Sequence, residues 1–196
     1  MASVRRRLAP EQRRRLIVEA AGRLFGERGY DGTRLDAVAA AAGVTKPVLY
    51  RHFADKTALY LALLERHRED LGTFAAAIPA EGPLEARLRA VLEVWLDYVE
   101  VHDYAWRMLF RDTGGGAEVR AYRGAVHARA RAVLMALMRQ LAPTPIPERE
   151  LEPLAELLSM GMASLVLWWL ETPGVEREAV LDAIARVWTS VLARER

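Results

Sequence analysis

No stretch of this chain alternates apolar and polar side chains at every second position, whereas apolar residues recur three and four apart along almost its whole length. A half-buried strand requires the first pattern and an amphipathic helix the second. The expectation is therefore an all-α fold. No internal repeat is present, and 196 residues suffice for one domain or for two small ones sharing a core.

Helix boundaries follow from residues that start and stop helices. Pro10 suits a first turn, Ile17, Ala20, Ala21, Leu24 and Phe25 share one face, and Gly29 is a natural end. Thr33 with Asp36 three residues on reads as a capping box for a short second helix bearing Leu35, Val38, Ala39 and Ala42. Gly43 breaks that pattern. Thr45 reads as the N-cap of a third helix, which tolerates Pro47 in its first turn and turns Leu49 and Phe53 to one side. Asp55 can cap a fourth helix through Leu59, Leu63 and His67. Longer amphipathic helices follow over 83–101, 105–111, 119–141, 148–171 and 175–193, separated by "DTGGGA", "APTPIP" and "TPG". The picture is three short helices forming a head at 10–56 and about six longer ones forming a body at 57–196.

Two short helices joined by a glycine turn and propped by a preceding helix make a helix-turn-helix, whose second helix fits the major groove of duplex DNA. In "GVTKPVLYRHFADK" the apolar and glycine positions serve folding, but Thr45, Lys46, Tyr50, Arg51, His52 and Lys56 are donors that a core does not use. With Leu49 and Phe53 packed inward, Thr45, Lys46, Pro47, Val48 and Arg51 are expected toward the groove. Tyr50 and His52 are expected toward its walls, and Thr33 is a phosphate donor at a helix start. Lys46 or Arg51 can reach guanine edges, and Val48 or Pro47 can pack on a thymine methyl. Lys56 is a cation in the first turn of a helix, a position that opposes the macrodipole and that a nearby phosphate would favour.

Charge distribution points the same way. Residues 1–56 carry 12 Lys/Arg against 6 Asp/Glu, while residues 57–196 carry 16 against 20. A basic head on a mildly acidic body suits a polyanion. The chain has 26 arginines and only 2 lysines, and both lysines fall in this motif. There is no cysteine, which excludes disulfides, thiolate zinc sites and cysteine nucleophiles and fits a reducing cytosol. The N-terminus lacks the apolar core of a secretory signal. The uncharged run from Leu157 to Leu170 is 14 residues, short of the roughly 20 that span a bilayer, so a helix buried on several sides is expected rather than a membrane anchor.

The segment "FGERGYDGTRLDAVAAAAGVTKPVLYRHFADKTAL" resembles the DNA-binding domain of the TetR family of bacterial transcriptional regulators. The resemblance covers about residues 10–60. It is carried by the Phe25-to-Tyr30 helix end, Thr33, Gly43-Val44-Thr45-Lys46, Leu49-Tyr50-Arg51-His52-Phe53 and Lys56. It implies a cytoplasmic, sequence-specific regulator, acting as a repressor that a small apolar or amphipathic effector releases from a palindromic operator. By the same resemblance, DNA contacts fall on Thr33, Arg34, Thr45, Lys46, Pro47, Val48, Tyr50, Arg51, His52 and Lys56. Pro47 departs from the family, which more often has glycine there.

The resemblance also implies a ligand pocket and a homodimer interface in the C-terminal helices. Soft and aromatic side chains suit an adaptable apolar cavity, and Trp95, Tyr98, Trp106, Phe110, Tyr122, Met135, Met138 and Met160 are the candidates. The last two helices carry more apolar surface than one core needs. Leu165, Trp168, Trp169, Ile184, Trp188, Val191 and Leu192 are the candidates for a four-helix interface across a two-fold axis. An enzyme is the rival reading, but the histidines lack metal-ligand spacing, Gly114 to Gly116 lacks the Lys-Ser/Thr of a phosphate loop, and no serine sits in a nucleophile elbow. No cofactor or metal is expected. A helical interaction protein whose helix-turn-helix no longer binds DNA is a second alternative, against which the intact donor set argues.

Overall fold

A computed structural model of the chain describes residues 9–70, 73–74 and 78–193. Among them there are nine helices and no strand: α1 (Pro10–Gly32), α2 (Leu35–Ala41), α3 (Lys46–His52), α4 (Lys56–Asp70), α5 (Leu84–Val101), α6 (Asp103–Phe110), α7 (Ala117–Leu141), α8 (Glu148–Glu171) and α9 (Arg177–Leu192). Arg5, Arg6 and Arg7, part of the basic count of the head, lie outside the described residues.

Local chemistry accounts for most boundaries. Pro10 occupies the first position of α1, and the Gln12 side chain accepts the Ala9 N–H at 3.1 Å. Gly29 interrupts α1 with φ 69°, a left-handed conformation that a side chain resists. The chain between α2 and α3 turns at Gly43, with φ 65°, where the Val44 N–H reaches back to the Ala39 carbonyl at 3.0 Å. Asp55 caps α4 as its sequence position suggests, its carboxylate accepting the Ala58 N–H at 2.8 Å. The capping box anticipated at Thr33 does not form. Arg34 is the N-cap of α2, and Thr33 lies one residue outside it with its side chain buried.

Apolar burial divides into two clusters. One joins Ile17, Leu24 and Phe25 of α1 to Val38, Leu49, Phe53 and the α4 residues Leu59, Tyr60, Leu63 and Leu64. It also takes Met108 from α6 and Val119 and Val126 from α7. The second is built by α5, α7, α8 and α9 around Leu96, Met138, Leu151, Val166, Leu181 and Trp188. The head therefore rests on α6 and α7 rather than hanging from a linker.

Helices α6 and α7 both contribute to the two clusters. Tyr104 covers α1 so closely that a Cβ on Gly26 would lie 2.7 Å from the Tyr104 Cβ and 2.9 Å from its Cα. On the other side Arg107 and Arg111 both pair with Glu171 at the end of α8. The uncharged run identified in the sequence is the C-terminal part of α8. This helix is long and apolar enough to cross a membrane by length and composition, with mean hydropathy 1.4. It packs against α6, α7 and α9.

Candidate DNA interface and ligand cavity

The α3 helix is seven residues long, too short to be stable alone. Burial of Leu49 at 0 % and Phe53 at 5 % exposure holds it against α1, where the Arg14 guanidinium lies 5.3 Å from the Phe53 ring. This anchoring leaves Thr45, Lys46, Pro47, Tyr50 and Arg51 exposed and Val48 and His52 half-buried. Tyr50 is 44 % exposed, unusual for a large aromatic with a core nearby. Thr45 stands at the N-cap with extended backbone, yet its hydroxyl makes no capping bond. Arg34 is exposed beside this surface.

Lys46 has a partner. Its ammonium lies 2.7 Å from the Asp36 carboxylate, across the turn on α2, with Arg34 of the same face 3.9 Å from that carboxylate. The hydrogen bond and opposite charge raise the Lys46 pKa and lower that of Asp36. Asp36, read from sequence only as a capping residue, is thus an acidic group within the basic face.

Two candidate donors are used by the protein itself. Thr33 is 1 % exposed, and its hydroxyl donates to the Gly29 and Leu24 carbonyls at 2.8 and 3.1 Å. It satisfies the broken end of α1 and does not present its hydroxyl to a phosphate. Lys56 donates to the Tyr30 and Thr33 carbonyls at 2.9 and 3.2 Å and lies 4.4 Å from the Tyr30 ring centre. The cation at the start of α4 is therefore offset by the carbonyl end of α1 and a π face, without any phosphate.

A cavity of about 80 Å³ opens in the body between α5, α6, α7 and α8. Trp95, Trp106 and Phe110 line it, together with Phe74, Val91, Leu92, Leu109, His127, Leu134, Ser159 and Met162, among others. The Trp106 and Phe110 rings stack at 5.6 Å, and Trp95 meets Trp106 edge-on at 5.4 Å. His127 shares its Nε2 proton with the Leu109 carbonyl at 3.2 Å, and burial lowers its pKa.

Five pocket candidates are placed elsewhere. Tyr98 packs on Phe74 and donates to Asp70 at 3.0 Å. Tyr122 packs against the head cluster, Met138 is fully buried in the body core, Met135 packs on that core, and Met160 is 46 % exposed. Helical period identifies a face but not which of several neighbouring helices covers it, and that ambiguity is what misplaced them.

The last two helices need a similar correction. Ile184, Trp188 and Leu192 are 3 %, 2 % and 2 % exposed because they form the inward stripe of α9 within the protomer's own core. Trp169 is half-buried, its indole donating to the Val175 carbonyl at 3.1 Å. What remains outside is an apolar groove including Leu157, Leu165, Val187 and Val191, with Trp168 exposed nearby on α8.

The fold is shared with known proteins. A family model described as bacterial regulatory proteins, tetR family, matches residues 17–63, and one described as tetracyclin repressor-like, C-terminal domain, matches residues 84–190. The chain belongs to the TetR family. The relatives it matches are named as HTH-type transcriptional regulators. Over 107 residues it is 38 % identical to the HTH-type transcriptional activator FasR of Mycolicibacterium smegmatis, covering 54 % of this chain and 49 % of that one. It is 36 % identical over 84 residues to the HTH-type transcriptional repressor AcnR of Corynebacterium efficiens, covering 43 % of each. The chain thus spans about half the length of these curated relatives.

Among solved structures, a TetR-like regulator from Rhodococcus sp. RHA1 superposes with TM-score 0.73 at 26 % identity, covering 96 % of this chain and all of that one. The regulator FadR of Bacillus subtilis in complex with stearoyl-CoA shares the fold with TM-score 0.70 at 15 % identity, over 90 % of this chain and 97 % of that one. The first family model spans α3, and the second spans α5 to α8 and most of α9.

Proposed function

We propose that this regulator is a cytoplasmic homodimeric repressor that places two copies of α3 in successive major grooves of a palindromic operator and is released by a small apolar effector bound in the body cavity. The observation that carries this reading is the division of labour on α6. Trp106, Leu109 and Phe110 face the cavity, while Met108 is buried in the head cluster and Tyr104 seats against α1. An occupant that pushes on the first three residues must move the last two, and with them the head. Different affinity of the effector for two head spacings is then what changes DNA affinity.

On the DNA side the reading uses Thr45, Pro47, Val48, Tyr50, Arg51 and His52 directly, with Arg34 at the flank. Lys46 acts from its pair with Asp36. Thr33 and Lys56 set the angle between α1 and α4 and support the interface from behind. The named relatives include both an activator and repressors. Repression is favoured because occupying a promoter needs no surface beyond the head. Assembly uses the exposed α8–α9 groove.

Selection of sites from random duplexes followed by a promoter reporter tests the reading. An enriched inverted repeat whose reporter is silenced by the protein supports it. Failure to enrich any site removes the DNA-reading role from α3, and a reporter that is switched on reverses the sign of regulation.

A further inference from the structure

An acid stands within the basic face of the head. Asp36, in the first turn of α2, is half-exposed, and its two carboxylate oxygens meet cations of that face: Lys46 at 2.7 Å and Arg34 at 3.9 Å. Stability does not account for the arrangement, because an ion pair this exposed contributes little to folding. Affinity for DNA in general does not account for it either. A carboxylate beside a polyanion opposes every duplex alike and holds back a lysine that would meet phosphate. Phosphates and deoxyribose carry no hydrogen-bond donor, so what offsets that loss is the amino group of a base.

The pair is placed to meet one. Lys46 is the first residue of α3. In a helix-turn-helix the N-terminal residues of the second helix contact base edges, while the first helix crosses the backbone. The Asp36 carboxylate, 2.7 Å from the Lys46 ammonium, goes where that ammonium goes. Their mutual hydrogen bond, then their opposite charges, lower the Asp36 pKa and raise that of Lys46, so one is a fixed acceptor and the other a fixed donor. The ammonium gives one of its three donors to Asp36 and keeps two, and the carboxylate has about four acceptor sites.

The major-groove edge of a G·C pair is the complement of this couple. Guanine offers two acceptors, N7 and O6, and cytosine offers its N4 amino donor next to O6, about 2.9 Å away because the two bond each other. An A·T edge is not. There N7 lies beside the amino group and repels the carboxylate, and a methyl lies beside O4, where the ammonium has nothing to bond.

We propose that the Asp36–Lys46 pair reads one G·C base pair in each half-site, Asp36 accepting the free N4–H of the cytosine and Lys46 donating to N7 and O6 of the guanine. This rests on the reading of α3 as the helix that enters the groove, and adds a base pair to it. Asp36 is then a specificity-determining residue supplied by α2.

Site selection from random duplexes with the full-length wild type and with Asp36→Ala tests this, followed by anisotropy titration of both on the wild-type site. The wild type should enrich a fixed G·C pair at one position of each half-site, and Asp36→Ala should accept other pairs there. Replacing that cytosine by N4-methylcytosine, whose methyl takes the place of the groove-facing N–H, should weaken the wild type about fivefold to a hundredfold and leave Asp36→Ala within about twofold. An unchanged G·C preference in Asp36→Ala overturns the proposal, as does an equal loss from the methyl group in both proteins. The methyl scan of the wild type needs no variant: indifference at every cytosine of the site overturns the proposal as well. Failure of the wild type to enrich any site would instead remove the DNA-reading role of α3, and this proposal with it.

Discussion

Asp112, just beyond the end of α6, accepts the backbone N–H of Tyr30 at 2.7 Å, although 82 residues separate them. The same carboxylate oxygen accepts the Tyr60 hydroxyl at 2.9 Å, and the other oxygen accepts the Gly114 N–H at 2.9 Å. One side chain therefore ties the broken end of α1, the middle of α4 and the loop after α6. A Cβ on Gly29 would lie 3.1 Å from this carboxylate, so glycine there serves both the left-handed backbone and the approach of Asp112.

Asp112→Ala leaves the part-buried N–H groups of Tyr30 and Gly114 without this acceptor and leaves the Tyr60 hydroxyl with the Met108 carbonyl, 3.1 Å away. The expected loss is about 1–3 kcal/mol in urea denaturation. More diagnostic is the coupling: if this knot carries motion from α6 to the head, the variant should still bind operator DNA but respond less to effector. A full effector response in Asp112→Ala would show that the Tyr104–Gly26 contact alone transmits it.

The Asp36–Lys46 pair gives a second expectation. Both side chains are half-exposed, so the pair contributes little to stability, and Asp36→Ala should leave the melting temperature nearly unchanged. On DNA the effect should be plain. Removing the acid frees Lys46 and deletes a repulsive charge, so affinity for random duplex should rise and the salt slope steepen by about one unit for each freed lysine. Arg51→Ala should do the reverse at the cognate site, costing about 1–3 kcal/mol per half-site and relaxing preference there. Anisotropy titrations on cognate and scrambled duplexes at two salt concentrations separate the two effects. If Asp36→Ala weakens both equally, Asp36 positions Lys46 for a contact rather than restraining it.

Much of the head was legible because its elements are short and punctuated. Gly43, Thr45, Pro47 and Asp55 mark ends that the structure reproduces, and Leu49 with Phe53 fixes the inward face of α3. The roles of Thr33 and Lys56 were not legible. Both depend on carbonyls freed where α1 breaks at Gly29, and a lysine meeting carbonyls from 23 and 26 residues away has no local signature. Asp112 was missed for the same reason. In the body, Ile184, Trp188 and Leu192 share a stripe that suits a core or an interface equally well. Only the packing of α5 on α9 shows that they face inward. His127 and Ser159 could have been suspected as polar residues within apolar stripes of α7 and α8.

Buried histidines make stability depend on pH. His67 is 2 % exposed, its Nδ1–H donates to the Tyr98 oxygen, and the Tyr98 hydroxyl donates to Asp70. Its Nε2 has no partner, and the His102 ring lies 5.6 Å away. Burial first, then the charges of His102 and Arg66, push its pKa down to about 3. His102 and His127 are lowered as well, both mainly by burial. A lowered histidine binds its proton more readily when unfolded. Stability is then fully present above about pH 6.5 and falls as pH drops toward the folded value, by ~1.4 kcal/mol per pH unit for each such histidine. Urea midpoints between pH 5 and 7, where few carboxylates titrate, should decline with acidity. His67→Phe, which keeps a ring in the same box, should flatten that decline. An unchanged slope would assign the effect to the other two histidines.

The α8–α9 surface supplies the last expectation. Trp168 is 51 % exposed and Val187 54 %, Leu157 is 67 %, and the groove between them is walled by Leu165, Ala183 and Val191. Gly161 lies in the same groove with nothing within 4 Å of where its Cβ would be, so a partner helix can approach closely there. A protomer exposing this surface to water would associate, and a two-fold partner covers it with the same residues. Val187→Arg together with Trp168→Glu should convert dimer to monomer in sedimentation while leaving the protomer folded, because both side chains already point outward. Trp188→Ala should instead unfold or loosen the protomer, costing about 3–5 kcal/mol for a buried tryptophan, since it fills the core behind the groove. The opposite pattern, a dimer that survives the outer changes and falls apart only with Trp188, would move the two-fold axis to another face. The operator should distinguish the cases as well: a monomeric variant with an intact α3 loses cooperative binding to the inverted repeat but keeps its weak affinity for a single half-site.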